Sequence, residues 1–161
     1  VYEDQKLFEM LILEGFQAGL SWLTILKKRE HFRKAFDYFD VACIAAYDED
    51  KITELMQNKD IVRNRRKICA AIQNAKVFLA IQKEYGTFSE YLWGFTNHQV
   101  QYLQDKEMPV TTPLSDSISK DLKKRGMKFV GSTIIYSYLQ AVGVVHDHHK
   151  GCFLHVDDSN N

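Results

Sequence analysis

The chain has 161 residues, 45% of them hydrophobic and 26% charged, a length and composition typical of one globular domain with a substantial core. Lysine plus arginine and aspartate plus glutamate number 21 each, which excludes a global positive field, so any binding to nucleic acid must depend on local basic clusters. Because no apolar run approaches the roughly 20 residues that span a bilayer, and the three cysteines lack the close, even spacing of a disulfide framework, we expect a cytoplasmic domain without membrane attachment.

The first half of the chain predicts five helices. Apolar residues recur there at helical spacing, and short polar residues stand where helices would begin. The first helix is predicted to fray at Gly15 and Gly19 and the second to end near Phe36. Two short helices should end near Tyr47 and Gln57, and a long helix should run from about Val62 to Lys83 and stop at Gly86. The predicted N-caps of the first four helices are Asp4, Ser21, Asp40 and Asp48.

The second half continues the helical pattern with one interruption. A short helix should carry Phe88 to Phe95, and the polar segment from Thr96 to Pro113 is predicted to be an irregular loop. Ser115 or Asp116 should open the next helix, which halts at Gly126, and a last core helix should close near Gly143. Only two prolines interrupt the sequence, so the predicted fold class is all-α.

Glu14 is the anomaly of the first helix. It lies three, four and seven residues beyond Leu11, Met10 and Leu7, which places it on the apolar stripe and predicts that it is at least partly buried. A buried carboxylate is costly unless it is hydrogen-bonded or paired, so its presence calls for a partner or a ligand. The alternative is a glutamate at a helix end that reaches solvent past Gly15.

The turn after Glu14 holds three side chains suited to a nucleobase. Trp22 offers a π face, Leu20 an apolar wedge that can fill a gap in a base stack, and Gln17 an amide that can reach a base edge. Turns are well placed to present such side chains to a ligand. The alternative is that Leu20 and Trp22 pack in the core, as their periodicity favours.

The segment Gly126–Gly131, with Lys128 at its centre, resembles the hairpin of a helix-hairpin-helix. Glycines at both ends allow backbone N–H groups to approach a phosphate, and Ser132 or Thr133 should cap the next helix, whose positive dipole end adds attraction. Such contacts position DNA without reading its sequence. An ordinary turn between helices with a solvated basic face would give the same pattern.

A second basic run, at residues 63–67, opens the long helix. It is a candidate for contact with another stretch of phosphates, although such runs are more often solvated faces.

The pair His148 and Cys152 has the residue types and spacing of half a zinc site, since a closed structural site needs four ligands. Cys43 and Cys69 fall inside helix patterns and are predicted to be small core residues.

Several of these motifs together resemble the type I 3-methyladenine-DNA glycosylases of bacteria. The resemblance covers essentially the whole chain in order, and its Gly-Leu-Ser-Trp block and Phe-Val-Gly hairpin are specific. It rests chiefly on Leu13-Glu14-Gly15, Gln17-Ala18-Gly19-Leu20-Ser21-Trp22, Lys123-Lys124-Arg125-Gly126, Lys128-Phe129-Val130-Gly131 and His148-x3-Cys152.

The resemblance implies an all-α helix-hairpin-helix fold in two lobes, with the base pocket between them and a structural zinc site. Residues 1–161 would form a single glycosylase domain that lacks the family's N-terminal segment, the source of further aromatic residues and of two zinc ligands. Glu14 takes the position of the carboxylate that recognises the base, and Trp22 that of the ring on which the base stacks. Gln17 and Leu20 map to the intercalating turn, and His148 and Cys152 to the C-terminal half of the zinc site.

The implied function is monofunctional hydrolysis of the N-glycosidic bond of 3-methyladenine in alkylated double-stranded DNA after base flipping. The residues agree with this chemistry, since a cationic base is a good leaving group and is attracted to aromatic faces and to a carboxylate. No lysine is convincingly placed as a Schiff-base nucleophile. We expect a monomer without an obligate protein partner.

Two functions of other classes remain open from the sequence. One is a helix-hairpin-helix DNA-binding module without catalysis, in which replacement of Glu14 would leave function intact. The other is a helical protein-interaction domain, which would show no salt-sensitive binding to DNA.

Overall fold

The computed structural model describes residues 3–17, 22–61, 63–103 and 111–147. Within these ranges the regular secondary structure is helical apart from two strands of three residues, which confirms the predicted all-α architecture. The α-helices are α1 Asp4–Gln17, α2 Trp22–Ala35, α3 Val41–Ala45, α4 Glu49–Met56, α5 Arg65–Tyr85, α6 Phe88–Gly94, α7 Pro113–Lys124 and α8 Ser132–Ala141, and a short 3-10 helix, Asp37–Phe39, lies between α2 and α3. The strands are β1 Gln101–Leu103 and β2 Val145–Asp147. No helix in the described ranges is long and apolar enough to cross a membrane.

The two short helices begin where the sequence predicts. Asp40 Oδ1 accepts a hydrogen bond from the amide of Cys43 at 3.1 Å, and Asp48 Oδ1 accepts one from the amide of Lys51 at 3.0 Å. Each carboxylate satisfies an amide that has no partner within its own helix. Capping is a local interaction, and both predicted caps are confirmed.

The long helix α5 starts at Arg65, three residues later than predicted, because the side chain of Asn64 accepts from the amide of Lys67 and fixes the first turn. It ends at Tyr85. Gly86 follows with φ of 89°, a left-handed conformation that favours glycine, so the predicted stop is confirmed.

Helix α7 starts earlier than predicted. Thr112 is its N-cap and Pro113 its first residue, and the side chains of Thr112 and Ser115 each accept from the other's backbone amide in a capping box. Proline is tolerated at the first helical position because no intrahelical acceptor is needed there. The assignment of Ser115 or Asp116 as the cap was wrong because it treated Pro113 as part of the loop.

The core centres on α1 and α5. The ring of Phe8 on α1 packs edge-on against Phe78 of α5, with centroids 5.0 Å apart, and Phe78 stacks on Phe88 of α6 at 4.3 Å. A second aromatic group, from Phe16 and Phe32, joins α1 to α2 at 5.0 Å. Helix α1 is therefore buried between α5, α2 and α8 along most of its length.

The two cysteine predictions within the described helices were wrong, since both Cys43 and Cys69 are exposed. Ile44 and Ile68 occupy the buried positions of their helices, and each cysteine lies one residue away, about 100° around the helix.

Part of the predicted loop is a strand. Gln101–Leu103 pairs in parallel with Val145–Asp147, and Tyr102 stands opposite His146. The pairing joins the segment before α7 to the segment after α8, and it fixes the backbone immediately before His148.

Candidate active site

Glu14 lies in the last turn of α1 and is only 4% exposed, which confirms the burial that its spacing predicts. Among the residues that the structure describes, no side chain donates a hydrogen bond to the Glu14 carboxylate or forms an ion pair with it. Burial raises the pKa of Glu14 from 4.5 to about 7. A buried, unpaired carboxylate of this kind is a candidate for binding a ligand that carries positive charge or hydrogen-bond donors.

Tyr138 of α8 fixes that helix against α1, the helix that carries Glu14. Its hydroxyl donates to the carbonyl of Leu7 at 2.8 Å, and the ring is fully buried. Burial, together with the negative charges of Asp4 and Glu14, holds the pKa of Tyr138 well above its usual value. The hydroxyl therefore stays protonated and keeps α8 in contact with the helix that carries Glu14.

The end of α1 is also held in place. The ammonium group of Lys67 on α5 donates to the carbonyl of Phe16 at 3.2 Å, and burial lowers the pKa of Lys67. Gln17, the last residue of α1, is half-buried. The backbone of Trp22 opens α2, but its side chain and all of Leu20 lie outside the described part of the chain.

Glu9 is a residue that the sequence analysis missed. It is 6% exposed on α1, and its carboxylate receives Arg29 Nε at 2.7 Å and a nitrogen of Arg33 at 3.1 Å, both from α2. The signal that could have found it is the one that singled out Glu14, a carboxylate within an apolar run. The Glu9 contacts tie α2 to α1.

A cavity between α1 and α5 is too small for a base. Its volume is about 10 Å³, room for one water molecule, and its lining includes Gly15, Asn74 and Phe129. Glu14 is not among its lining residues, so this cavity is not the candidate pocket.

The hairpin between α7 and α8 has a specific backbone conformation. Gly126 has φ of 106° and Phe129 has φ of 56°, both left-handed. Met127 and Val130 are buried between the helices, while Lys128 is exposed. The two buried residues anchor the hairpin and leave Lys128 facing outward.

The hairpin is held from two sides. The buried side chain of Asn74 on α5 makes two hydrogen bonds to the backbone of Lys128, at 2.8 and 2.9 Å. On the other side, Ser119 Oγ of α7 donates to the carbonyl of Val130 at 2.6 Å. A Cβ built on Gly15 would lie 3.7 Å from Phe129 Cβ, so the hairpin also packs against the residue that follows Glu14.

Gly131, and neither Ser132 nor Thr133, is the N-cap of α8, and no side chain caps the helix. The predicted serine or threonine cap was wrong because Ser132 Oγ bonds instead to Ser115 Oγ at 2.8 Å and to the carboxylate of Asp116. The first amides of α8 are thus left without a capping side chain, which is the arrangement that binds anions at helix N-termini.

Arg125 lies in the basic run before the hairpin, and its guanidinium is paired with carboxylates of the protein itself. It donates to Asp121 at 2.7 Å and to Glu84 at 3.0 Å, and these carboxylates hold its pKa above the usual value. Lys120, Lys123 and Lys124 remain exposed. The basic character near the hairpin therefore comes from lysines.

The candidate zinc ligands His148 and Cys152 lie outside the described residues. Within the ranges that are described, no group of three or more histidine, cysteine, aspartate and glutamate side chains is placed to hold a metal ion.

A buried carboxylate beside a glycine-bounded helical hairpin is the arrangement expected of a helix-hairpin-helix DNA glycosylase. Residues 1–155 match the family model described as methyladenine glycosylase, and the chain belongs to this family. DNA-3-methyladenine glycosylase 1 of Escherichia coli strain K12 is 49% identical over 153 residues, which cover 93% of this chain and 82% of that protein. The DNA-3-methyladenine glycosylase of Haemophilus influenzae is 45% identical over 154 residues, covering 94% of this chain and 83% of that protein.

Solved structures agree with the family assignment. A crystal structure of 3-methyladenine DNA glycosylase I superposes with a TM-score of 0.89 at 49% identity, covering 95% of this chain and 86% of that chain. The Staphylococcus aureus enzyme, in a study of 3-methyladenine recognition, gives a TM-score of 0.86 at 37% identity, covering 90% and 79%. The resemblance inferred from the sequence motifs is confirmed.

Proposed function

We propose that this protein removes 3-methyladenine from double-stranded DNA by hydrolysing its N-glycosidic bond after the base has been flipped out of the helix. The observation that carries the proposal is the state of Glu14, which is buried, without a partner among the described side chains, and raised in pKa to about 7. It stands in a chain of the methyladenine glycosylase family, beside a hairpin of the kind that binds DNA backbone.

Glu14 is the proposed catalytic and base-recognition residue. An adenine methylated at N3 in DNA carries positive charge, so it leaves readily and needs little acid catalysis. The ionised carboxylate accepts hydrogen bonds from the base edge and stabilises the oxocarbenium-like transition state in a poorly hydrated site. A cation that enters the pocket lowers the pKa of Glu14 and so favours the ionised form that the reaction needs.

Selectivity follows from the same charge. Unmodified adenine is neutral, so it gains less from a carboxylate and from the face of an aromatic ring. In the proposed pocket Trp22 supplies that ring. Leu20 fills the gap that the flipped base leaves, and Gln17 contacts the neighbouring base edge. The Glu9 contacts to Arg29 and Arg33 support this arrangement because they anchor α2, whose first residue is Trp22.

The hairpin is the proposed DNA-binding element. Gly126 and Gly131 let the backbone approach a phosphate, the uncapped first amides of α8 donate to it, and Lys128 adds a positive charge. The two lobes of the family's fold would then stand on either side of the base pocket, with the hairpin against DNA.

Water is the proposed nucleophile, without strand cleavage. Lys67 lies near the end of α1, but its ammonium group already donates to the carbonyl of Phe16. A lysine that attacks the sugar would leave an imine that borohydride reduces to a stable enzyme–DNA adduct. We expect no such adduct, and its detection would contradict simple hydrolysis.

A structural zinc ion bound by His148 and Cys152 is part of the proposal on the strength of the family resemblance alone, with two more ligands from the family's N-terminal segment. Imidazole and thiolate are ligands that zinc prefers, and a closed site of this kind adds folding energy without entering the reaction. Zinc content, and the melting temperature before and after chelation, measure it.

The test is release of free 3-methyladenine from alkylated duplex DNA by the wild-type protein and by Glu14→Gln. We expect release by the wild type and a loss of about 10²-fold or more in the variant, comparable to removal of one electrostatic stabiliser, with duplex binding retained. Salt-sensitive DNA binding without any release would favour the non-catalytic DNA-binding module. Release that is unaffected in Glu14→Gln would assign catalysis to another group.

A further inference from the structure

We propose that a groove beside the hairpin binds a second stretch of DNA sugar–phosphate backbone, continuous with the stretch that the hairpin holds. The inference deepens the proposed function and rests on its claim that the protein binds DNA. The groove, here called the α5 groove, is lined by Arg65, Arg66, Cys69, Ala70, Gln73, Lys128 and Phe129.

The shape of the α5 groove suits an extended ligand. One wall is the face of α5 on which residues 66, 69, 70 and 73 follow each other at helical spacing, and the other wall is the hairpin. Its volume is about 700 Å³, within the range of pockets that bind ligands. By contrast, the cavity lined by Gly15, Asn74 and Phe129 holds about one water molecule.

The charge of the groove is positive. Its titratable residues are Arg65, Arg66, Cys69 and Lys128, and no acidic residue lines it. Arg65 is paired with Glu49 at 2.7 Å. Arg66 and Lys128 meet no carboxylate among the described residues, and the guanidinium carbon of Arg66 lies 5.9 Å from the ring centroid of Phe129. Two cations thus face an open groove from opposite walls, which is an arrangement that attracts phosphates.

The uncharged part of the groove lining suits a sugar–phosphate backbone better than a small free anion. Ala70, Cys69 and the ring of Phe129 give an apolar surface that a deoxyribose can contact, and Gln73 offers an amide. Lys128 and Phe129 belong both to the hairpin and to the groove. A strand whose phosphate lies on the hairpin would therefore continue into the groove without leaving the protein surface.

The structure distinguishes the cations of the basic run at residues 63–67, whose role the sequence does not decide. Of its four cations, Lys67 bonds to the carbonyl of Phe16, Arg65 is paired with Glu49, and Arg63 is exposed but does not line the groove, while Arg66 faces the groove. Arg66 is therefore the residue of this run to which we assign a phosphate.

The experiment measures affinity for a short duplex that carries a stable abasic-site analogue, over a series of salt concentrations. Loss of one phosphate contact lowers the slope of log affinity against log salt by about 0.9 and weakens binding about 5- to 10-fold at 0.1 M salt. We expect both the lower slope and the weaker binding in Arg66→Ala. Both quantities should change little in Arg66→Lys, and they should change less in Arg65→Ala than in Arg66→Ala.

The matched control is Lys83→Ala. Lys83 is exposed on the same helix, 17 residues further along and thus about 25 Å from Arg66. Its slope should equal that of the wild type. Circular dichroism and binding of free 3-methyladenine verify that each variant is folded.

Two results would overturn the inference. One is a slope for Arg66→Ala equal to those of the wild type and Lys83→Ala. The other is an equal fall of the slope in Arg66→Ala and Lys83→Ala, which would show a general effect of net charge and not a contact in the groove.

Release of 3-methyladenine by the same wild-type preparation separates this inference from the proposed function. Release together with an unchanged slope in Arg66→Ala means that only the groove assignment fails. A reduced slope without release means that the groove binds DNA and that the proposed activity fails.

Discussion

Asn74 on α5 pairs with the backbone of Lys128 through both atoms of its amide. Nδ2 donates to the Lys128 carbonyl at 2.9 Å, and Oδ1 accepts from the Lys128 amide at 2.8 Å. Asn74 is 5% exposed and lies 54 residues earlier in the chain. The next residue, Phe129, has φ of 56°, so one side chain of the long helix satisfies the backbone just where the hairpin turns left-handed.

We expect Asn74→Ala to weaken duplex binding while it leaves binding of free 3-methyladenine unchanged. Removal of the amide leaves the N–H and the carbonyl of Lys128 without this partner, at a cost in unfolding free energy of about 1–3 kcal/mol. The hairpin then samples other conformations before it binds DNA, which should raise Kd for the duplex about 5-fold or more. Duplex titration and free-base titration check the two halves of the prediction.

Asn58→Ala is the matched control, because Asn58 Oδ1 accepts only a local bond, from the amide of Asp60 at 2.9 Å on the surface. Asn74→Asp keeps the size of the side chain but buries a carboxylate against the Lys128 carbonyl, so its effect on Kd should be at least as large as that of Asn74→Ala. Equal losses of duplex and free-base binding in Asn74→Ala would show a general loss of structure and would contradict a positioning role.

Local signals explain which parts of the fold could be predicted. Asp40 and Asp48 cap helices within three residues of themselves, and Gly86 ends α5 through its own backbone conformation, so the sequence contains everything those predictions need. The same reasoning predicts Ser132 as a cap. Its hydroxyl instead makes hydrogen bonds with Ser115 and Asp116 of the preceding helix. That competition depends on tertiary packing.

In the candidate site, too, features set by local sequence can be predicted, and features set by tertiary packing cannot. The burial of Glu14 follows from its place on an apolar stripe, and the sequence predicts it. The α5 groove requires Arg66 and Lys128, 62 positions apart, to face each other, and no periodicity within either segment indicates that. Leu20, His148, Cys152 and the side chain of Trp22 stay predictions, since they lie outside the described part of the chain.

Gly126→Ala should destabilise the protein by about 1–2 kcal/mol, because φ of 106° is a left-handed conformation that costs an L-residue about this much. Space is a minor factor. The new Cβ would lie 3.3 Å from Gln73 Nε2, the movable end of a flexible side chain, and 3.6 Å from Val77 Cγ2. Urea unfolding measures the change.

Gly94→Ala is the control for this substitution. Gly94 ends α6 without a positive φ, and a Cβ there meets nothing within 4 Å. Alanine has the higher helix propensity, so Gly94→Ala should be neutral or stabilising by up to about 1 kcal/mol. Equal destabilisation by the two substitutions would contradict the role assigned to the backbone of Gly126.

The folded protein should become more stable at neutral and alkaline pH when Glu14 is replaced by glutamine. The pKa of Glu14 is 4.5 in the unfolded reference and about 7 in the folded protein, so the folded state holds the proton more tightly. The stability that this proton contributes is fully present below pH 4.5 and is lost as the pH rises through about 7. At about 1.4 kcal/mol per pKa unit, the loss amounts to about 3 kcal/mol.

Glutamine stays neutral, so Glu14→Gln escapes that loss. The difference in unfolding free energy between Glu14→Gln and the wild type should grow with pH between about 4.5 and about 8, as urea unfolding at each pH will show. Glu54→Gln, on the exposed side of α4, is the control and should show no such growth. A constant difference for Glu14→Gln would mean that burial does not disfavour the charge of Glu14.

The rate of excision should rise with pH as Glu14 loses its proton, because the ionised carboxylate is the form that stabilises a cationic base and its transition state. The profile of kcat/KM reports the free enzyme, so its midpoint should lie at about pH 7. The profile of kcat reports the complex, in which the cationic base lowers the pKa of Glu14, and its midpoint should lie below that of kcat/KM. Excision from a defined duplex at constant ionic strength gives both profiles.

The residual activity of Glu14→Gln should lack this rise with pH, because glutamine has no proton to lose in this range. A kcat/KM that is flat or falls between about pH 6 and about pH 8 would mean that the ionised form of Glu14 is not the active one.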